Sequence, residues 1–169
     1  QGEDTLIRRA LFLQTLVCAM LGEPPAPAAR AVLDRAVLAA YHARGITSDP
    51  RTWKRRAPVL ADLATELDRA GKDGTAEAAD LSARLAPYVT GSYRGLFAGP
   101  TTTRPQGHLV IFSLRDLPEE TRTVGMLLAL DAIWRQVANP EDRRRRLVVV
   151  DEAWMLMREN EGARFLYRL

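Results

Sequence analysis

Two short apolar runs, Leu109-Val110-Ile111-Phe112 and Leu147-Val148-Val149-Val150, bracket an amphipathic stretch in the last third of this 169-residue chain. Neither run alternates with polar residues, which is how a strand covered on both faces reads. Between them Pro118, Glu119 and Glu120 open a helix, a proline and two acids suiting its first turn and its dipole. Its apolar face is Val124, Leu127, Leu128, Leu130, Trp134 and Val137, and Asn139 with Pro140 ends it. Strand, helix, strand in that order is a βαβ unit, with parallel strands and a right-handed crossover. Two strands are too few for a sheet buried on both faces, since sheets commonly hold about four to six. The expectation is an incomplete parallel α/β unit whose remaining strands come from sequence outside these residues.

Residues 1–90 carry a different pattern. Asp4 or Thr5 is placed to cap a helix with Leu6, Leu13, Leu16, Val17 and Met20 on its apolar face, stopped by Gly22, Pro24 and Pro25. Pro27 sits in the first turn of a second helix carrying Leu33, Val37, Ala40 and Tyr41, which Gly45 ends. After an irregular stretch around Asp49 and Pro50, Leu60, Leu63, Ala64 and Leu67 mark a third helix closed by Gly71. Thr75 caps a fourth with Ala78, Leu81 and Leu85, limited by Pro87. Residues 91–107, rich in Gly, Pro and Thr, read as loop. The fold class is therefore α/β and predominantly helical. Residues 1–90 form a small helical bundle, and 91–169 form the incomplete α/β unit.

Composition narrows the function. At 47% hydrophobic and 27% charged the chain is globular rather than disordered. A net charge of +3 is a mild excess, not the surplus of a dedicated nucleic-acid binder. One cysteine excludes a disulfide framework, and His42 and His108 are too far apart in sequence to suggest a metal site. No segment approaches the roughly 18 apolar residues of a membrane span. Glu3, Asp4, Arg8 and Arg9 near the start do not make a secretory signal. A start at Gln1 and a stop at Leu169 inside an apparent helix lead to the expectation of a piece of a longer protein.

Chemistry concentrates at residues 147–152, four apolar residues followed by Asp151 and Glu152. In open parallel sheets ligands bind beyond the carboxyl ends of the strands, so an acid at a strand's end faces the crevice. This is the pattern of a Walker B strand in P-loop ATPases. There Asp151 would hold Mg²⁺ directly or through its water shell, and Glu152 would polarise the water that attacks the γ-phosphate. The plain alternative is a pair of acids capping the next helix, an arrangement common in α/β proteins.

The longer string Arg146-Leu147-Val148-Val149-Val150-Asp151-Glu152-Ala153-Trp154-Met155-Leu156 strongly resembles the Walker B region of the large conjugal-transfer ATPases of type IV secretion systems. The likeness runs upstream through Tyr41-x-x-x-Gly45-Ile46-Thr47, Pro58-Val59-Leu60-Ala61-Asp62-Leu63, Leu85-x-x-Tyr88-x-x-Gly91-x-x-x-x-x-Phe97 and the run 109–117. The resemblance implies the middle of a RecA-like motor domain together with its all-helical insertion. It also implies a hexameric parent that spends ATP with Mg²⁺ on pilus assembly or substrate transfer. That parent would work in the cytoplasm at the inner face of the cell membrane, among other secretion-system subunits. The pattern departs from the family in one respect: no Gly-x-x-x-x-Gly-Lys-[Ser/Thr] loop occurs anywhere. Gly71-Lys72-Asp73-Gly74 lies between two helices and lacks the hydroxyl. The chain alone is thus expected neither to bind ATP tightly nor to hydrolyse it.

Two other functions remain open: a fragment of a hexameric RecA-like DNA translocase, and a non-catalytic helical docking module. The basic runs 51–56 and 143–146 read either as anion contacts or as solvated loops. Trp53 reads as a stacking residue or as part of a connector to a partner subunit. Trp154 reads as a packing anchor and Cys18 as a buried, inert thiol. Ser113 lacks the surroundings of a hydrolase elbow.

Overall fold

A computed structural model describes residues 2–101, 107–137, 144–151 and 153. The chain divides into two compact units, Gln1–Gln14 with Glu23–Arg104, and Thr15–Gly22 with Pro105–Leu169. The first helix, α1 (Gly2–Leu21), contributes to both.

In the first unit α2 (Pro27–Ala43), α3 (Leu60–Lys72) and α4 (Ala76–Val89) pack on one another, and a single turn, α5 (Arg94–Phe97), rests on α4. The apolar positions at helical spacing supply the core: Leu33, Val37, Leu67, Leu81 and Leu85 are fully buried. Each contributes on the order of 1.5–3 kcal/mol by leaving water. Gln14 Nε2 donates to Asp34 Oδ1 at 2.6 Å, tying the first part of α1 to α2.

The helix ends show which punctuation operates. Pro27 is in the first turn of α2, as its fixed φ favours. At the other end Gly45 adopts φ +69°, its N–H donating to His42 O and that of Ile46 to Tyr41 O. This Schellman closure buries Ile46. The same closure ends α3, but through Gly74 (φ +97°), with Gly74 N–H to Gly71 O and Thr75 N–H to Ala70 O. Gly71 instead lies inside α3, where a Cβ would meet Ala79 of α4 at 3.2 Å. It is the close-approach glycine, and the stop is three residues later. Thr75 occupies the N-cap of α4, yet its hydroxyl makes no capping bond. Pro87 sits within α4, which ends at Val89. The loop expected over 91–107 includes α5, held by an aromatic cluster. Tyr88 lies 5.3 Å from Tyr93 and 5.7 Å edge-on from Phe97, centroid to centroid. The helix expected to begin with a cap at Asp4 or Thr5 already runs from Gly2.

In the second unit the buried apolar side chains are Leu16, Val17, Cys18 and Met20 from α1 and Val124, Met126, Leu127 and Leu130 from α6 (Glu119–Val137). Trp134 and Val137, expected on the apolar face of α6, are exposed. Thr121 is buried in their stead, its hydroxyl satisfied by Pro118 O at 3.0 Å. Gly125 admits the Leu117 side chain, which an added Cβ would meet at 2.4 Å.

The α/β expectation holds only in its helical part. Among the described residues there is no strand. Leu109, Val110 and Ile111 are 79%, 39% and 78% exposed, and Leu147, Val148 and Val149 are 89%, 44% and 81% exposed. Exposure alternates with period two in both runs, as along a strand, but neither has a strand partner among the described residues. A strand is a pairing, not a property of one segment, so an apolar run without neighbours stays irregular.

Candidate functional site

Asp151 lies in a turn directly after the second apolar run and is exposed to solvent. A carboxylate there suits a hard cation such as Mg²⁺, which takes few protein ligands and keeps its waters. Glu152, expected as the catalytic base, and Trp154 lie outside the described residues. Among the described residues no group of three or more His, Cys, Asp and Glu is arranged to hold a metal ion. The sequence holds no Gly-x-x-x-x-Gly-Lys-[Ser/Thr] loop to cradle phosphates, and one carboxylate does not by itself make a nucleotide site. Gly71 and Lys72 lie in the last turn of α3 and Gly74 closes it, so that segment is a helix–helix turn. His42, His108 and Ser113 are exposed, and Cys18 is buried as its apolar neighbours suggest.

The most organised polar structure belongs to the connection between α2 and α3. Asp49 caps a 3₁₀ turn, Pro50–Lys54, its Oδ1 accepting from Arg51 N–H at 2.9 Å. The Thr52 hydroxyl accepts from Thr47 N–H at 3.0 Å and donates to Asp49 O at 2.7 Å. The indole N–H of Trp53 donates to Thr47 O at 2.9 Å, so Trp53 is a half-buried clamp on the loop. The Arg55 guanidinium lies over Gly45, within 1.8 Å of where a Cβ would stand.

Asp62 joins this loop to the bundle. Its Oδ2 accepts from Val59 N–H at 2.8 Å, satisfying an amide at the start of α3. Arg44 approaches the same carboxylate with a fork, Nη2 at 2.7 Å from Oδ1 and Nε at 3.2 Å from Oδ2. Partial burial alone would raise the carboxyl pKa. The Arg44 and Val59 hydrogen bonds and the charges of Arg44 and Arg56 outweigh it and hold Asp62 below its ordinary range. Sequence reasoning marked Asp62 only as part of a family-like string. Its partner is 18 residues away, and helical periodicity does not reach that far.

No helix among the described residues is long and apolar enough to cross a membrane. No protein-family model matches the chain, and no curated protein matches it. Among solved structures the chain is similar to VirB4 of Thermoanaerobacter pseudethanolicus, with a TM-score of 0.82 over 94% of this chain at 23% identity. The likeness is one of fold. The match spans 60% of the length of that VirB4 chain.

Proposed function

We propose that this chain is part of an ATPase of a type IV secretion system, of the VirB4 kind. The observation that carries the reading is the shared fold over 94% of the chain, and the Walker B-like string at 146–156 agrees with it. In this reading residues 1–90 are the all-helical insertion and 91–169 are part of a RecA-like nucleotide-binding domain. The runs at 109–112 and 147–150, exposed at 109–111 and 147–149, are strands awaiting their neighbours in the whole protein. Asp151 is this chain's contribution to Mg²⁺ and Glu152 its general base, while the phosphate cradle comes from residues beyond these 169. The whole protein couples ATP hydrolysis to pilus assembly or substrate transfer, as a hexamer at the cytoplasmic face of the membrane with other secretion-system subunits. The chain alone is inactive. Of the related motors, a DNA translocase is less well supported, because the net charge of +3 offers little of the basic lining that a DNA pore needs.

The test uses the full-length protein. Glu152→Gln should abolish ATP turnover and substrate transfer while nucleotide still binds. Asp151→Ala should abolish turnover and the Mg²⁺ dependence of binding. Turnover and transfer that survive both substitutions overturn the motor reading and leave the chain a helical docking module. Turnover by the 169-residue chain itself, lost on Glu152→Gln, would show that it is active without a P-loop.

A further inference from the structure

The connection between α2 and α3 holds more positive charge than its fold uses. Arg51, Lys54, Arg55 and Arg56 are all exposed, and among the described residues no carboxylate forms an ion pair with any of them. Loop shape is set by other groups: the Asp49 cap, the Thr47–Thr52 bonds, the Trp53 indole and the Schellman closure at Gly45. Arg56 lends its charge to the field at Asp62 and Arg55 lies over Gly45, yet neither forms an ion pair among the described residues, and four neighbouring cations on one loop repel one another.

We infer that this loop is a docking surface for an acidic segment of a partner protein, whose carboxylates engage Arg51, Lys54, Arg55 and Arg56. The inference stands apart from the ATPase reading, since it uses no residue of the 147–152 segment.

Three observations favour a carboxylate partner over a nucleic acid or a membrane. The loop's aromatic, Trp53, is half-buried and held in place by its N–H bond to Thr47 O, which limits the ring face it offers to a base. The positive excess is also local. Arg44 and the four exposed residues, set against Asp49 and Asp62, leave three charges, as many as the net +3 of the whole chain. The rest of the sequence is therefore balanced, and its other arginine run, 143–146, belongs to the other compact unit and follows Glu141 and Asp142. A nucleic-acid strand runs along a longer basic track than this one loop offers. Finally, this end of the bundle already shows the chemistry proposed, because Arg44 grips the Asp62 carboxylate with a guanidinium fork. In the 3₁₀ turn Arg51 and Lys54 share a face about 6 Å apart along the axis. That matches the roughly 6.6 Å between alternate residues of an extended peptide.

The experiment titrates the 169-residue chain into a fluorescein-labelled twelve-residue oligoglutamate at low ionic strength and reads anisotropy. A single-stranded oligonucleotide of equal charge and vesicles of phosphatidylcholine with phosphatidylglycerol are run in parallel. Replacing Arg51, Lys54, Arg55 and Arg56 by Gln should weaken oligoglutamate binding about tenfold, with an unchanged circular dichroism spectrum. The double variant Arg51→Gln, Lys54→Gln should weaken it by a smaller factor. Trp53→Phe keeps every charge but releases the loop, and should also weaken binding. Reversal of the four to Glu should transfer binding to an oligolysine peptide. Unchanged oligoglutamate affinity in the fourfold variant overturns the proposal. So does tighter binding of the oligonucleotide or the anionic vesicles than of oligoglutamate, lost in the same variant.

Discussion

Asp62 performs two separable tasks, and two substitutions at that position divide them. Asp62→Asn keeps an oxygen for the Val59 N–H but removes the charge that Arg44 and Arg56 face, whereas Asp62→Ala removes both. The Arg44 side chain is 39% exposed and that of Asp62 25%. Solvent therefore screens the pair, and its charge is worth about 0.2–1 kcal/mol. The lost acceptor at the helix start adds about 0.5–2 kcal/mol, by analogy with capping residues generally. Asp62→Asn should thus cost under about 1 kcal/mol at pH 7 and Asp62→Ala about 1–3 kcal/mol. Urea unfolding followed by far-ultraviolet circular dichroism measures both, and the slope of the transition checks that the two units melt together. The pH dependence fixes the sign. The carboxyl is held below its ordinary value of 3.8, so its charge-linked stability is fully present above that value. That stability is lost as pH falls from 3.8 through the lowered native value. The difference between wild type and Asp62→Asn should accordingly be flat from pH 7 to 5 and shrink toward zero below about pH 4. A difference that grows on acidification, or an Asp62→Ala cost indistinguishable from zero at pH 7, would refute the account of Asp62 as joint cap and charge partner.

Three further outcomes follow from the packing. Leu67→Ala, at a position with no exposed surface, should cost about 2–5 kcal/mol by chemical denaturation. Gly74→Ala places a side chain at φ +97° and should lower stability by about 1–3 kcal/mol in the same assay, while Gly22→Ala makes a parallel test of the left-handed turn at φ +73°. In the chain alone, amides of residues 109–111 and 147–149 should exchange with deuterium within seconds, while those of Leu67 and Leu81 persist far longer. Protection of 147–149 comparable to the bundle core would contradict the exposure seen there.

The bundle was readable because its signals are local. Leu33, Val37, Leu63, Leu67, Leu81 and Leu85 recur at helical spacing, and all of them are buried. Pro27 and Gly45 act through their own φ angles, so neither needs distant residues to be recognised. Reading failed where one residue type serves two purposes. Gly71 and Gly74 both resemble a helix stop, and only the nearness of Ala79 to Gly71 separates packing from closure. Trp134 and Val137 continue the period of α6 yet are exposed, since periodicity defines a face and not how far along it the neighbours extend. The bond of Trp53 to Thr47 O and the grip of Arg44 on Asp62 depend on a loop whose shape no pattern announces.

The apolar runs are the strongest case of this difference. Leu147, Val148 and Val149 have the composition of a buried central strand and an exposure of 44% or more. Composition records the environment in which a segment is at home, whereas strand structure is conferred by hydrogen-bonding partners. The two disagree here because no partner is present among the described residues. Each of the three exposes a large apolar side chain, a burden that a segment adapted to water would not carry. On the function proposed above, these side chains are buried in the completed sheet of the whole protein. The proposed role of Asp151 depends on the same step, since its carboxylate faces a ligand crevice only when the run before it is paired. If 147–150 stays unpaired and freely exchanging in the full-length protein as well, the Walker B assignment fails at its first requirement. Substitution of Asp151 would then leave ATP turnover intact.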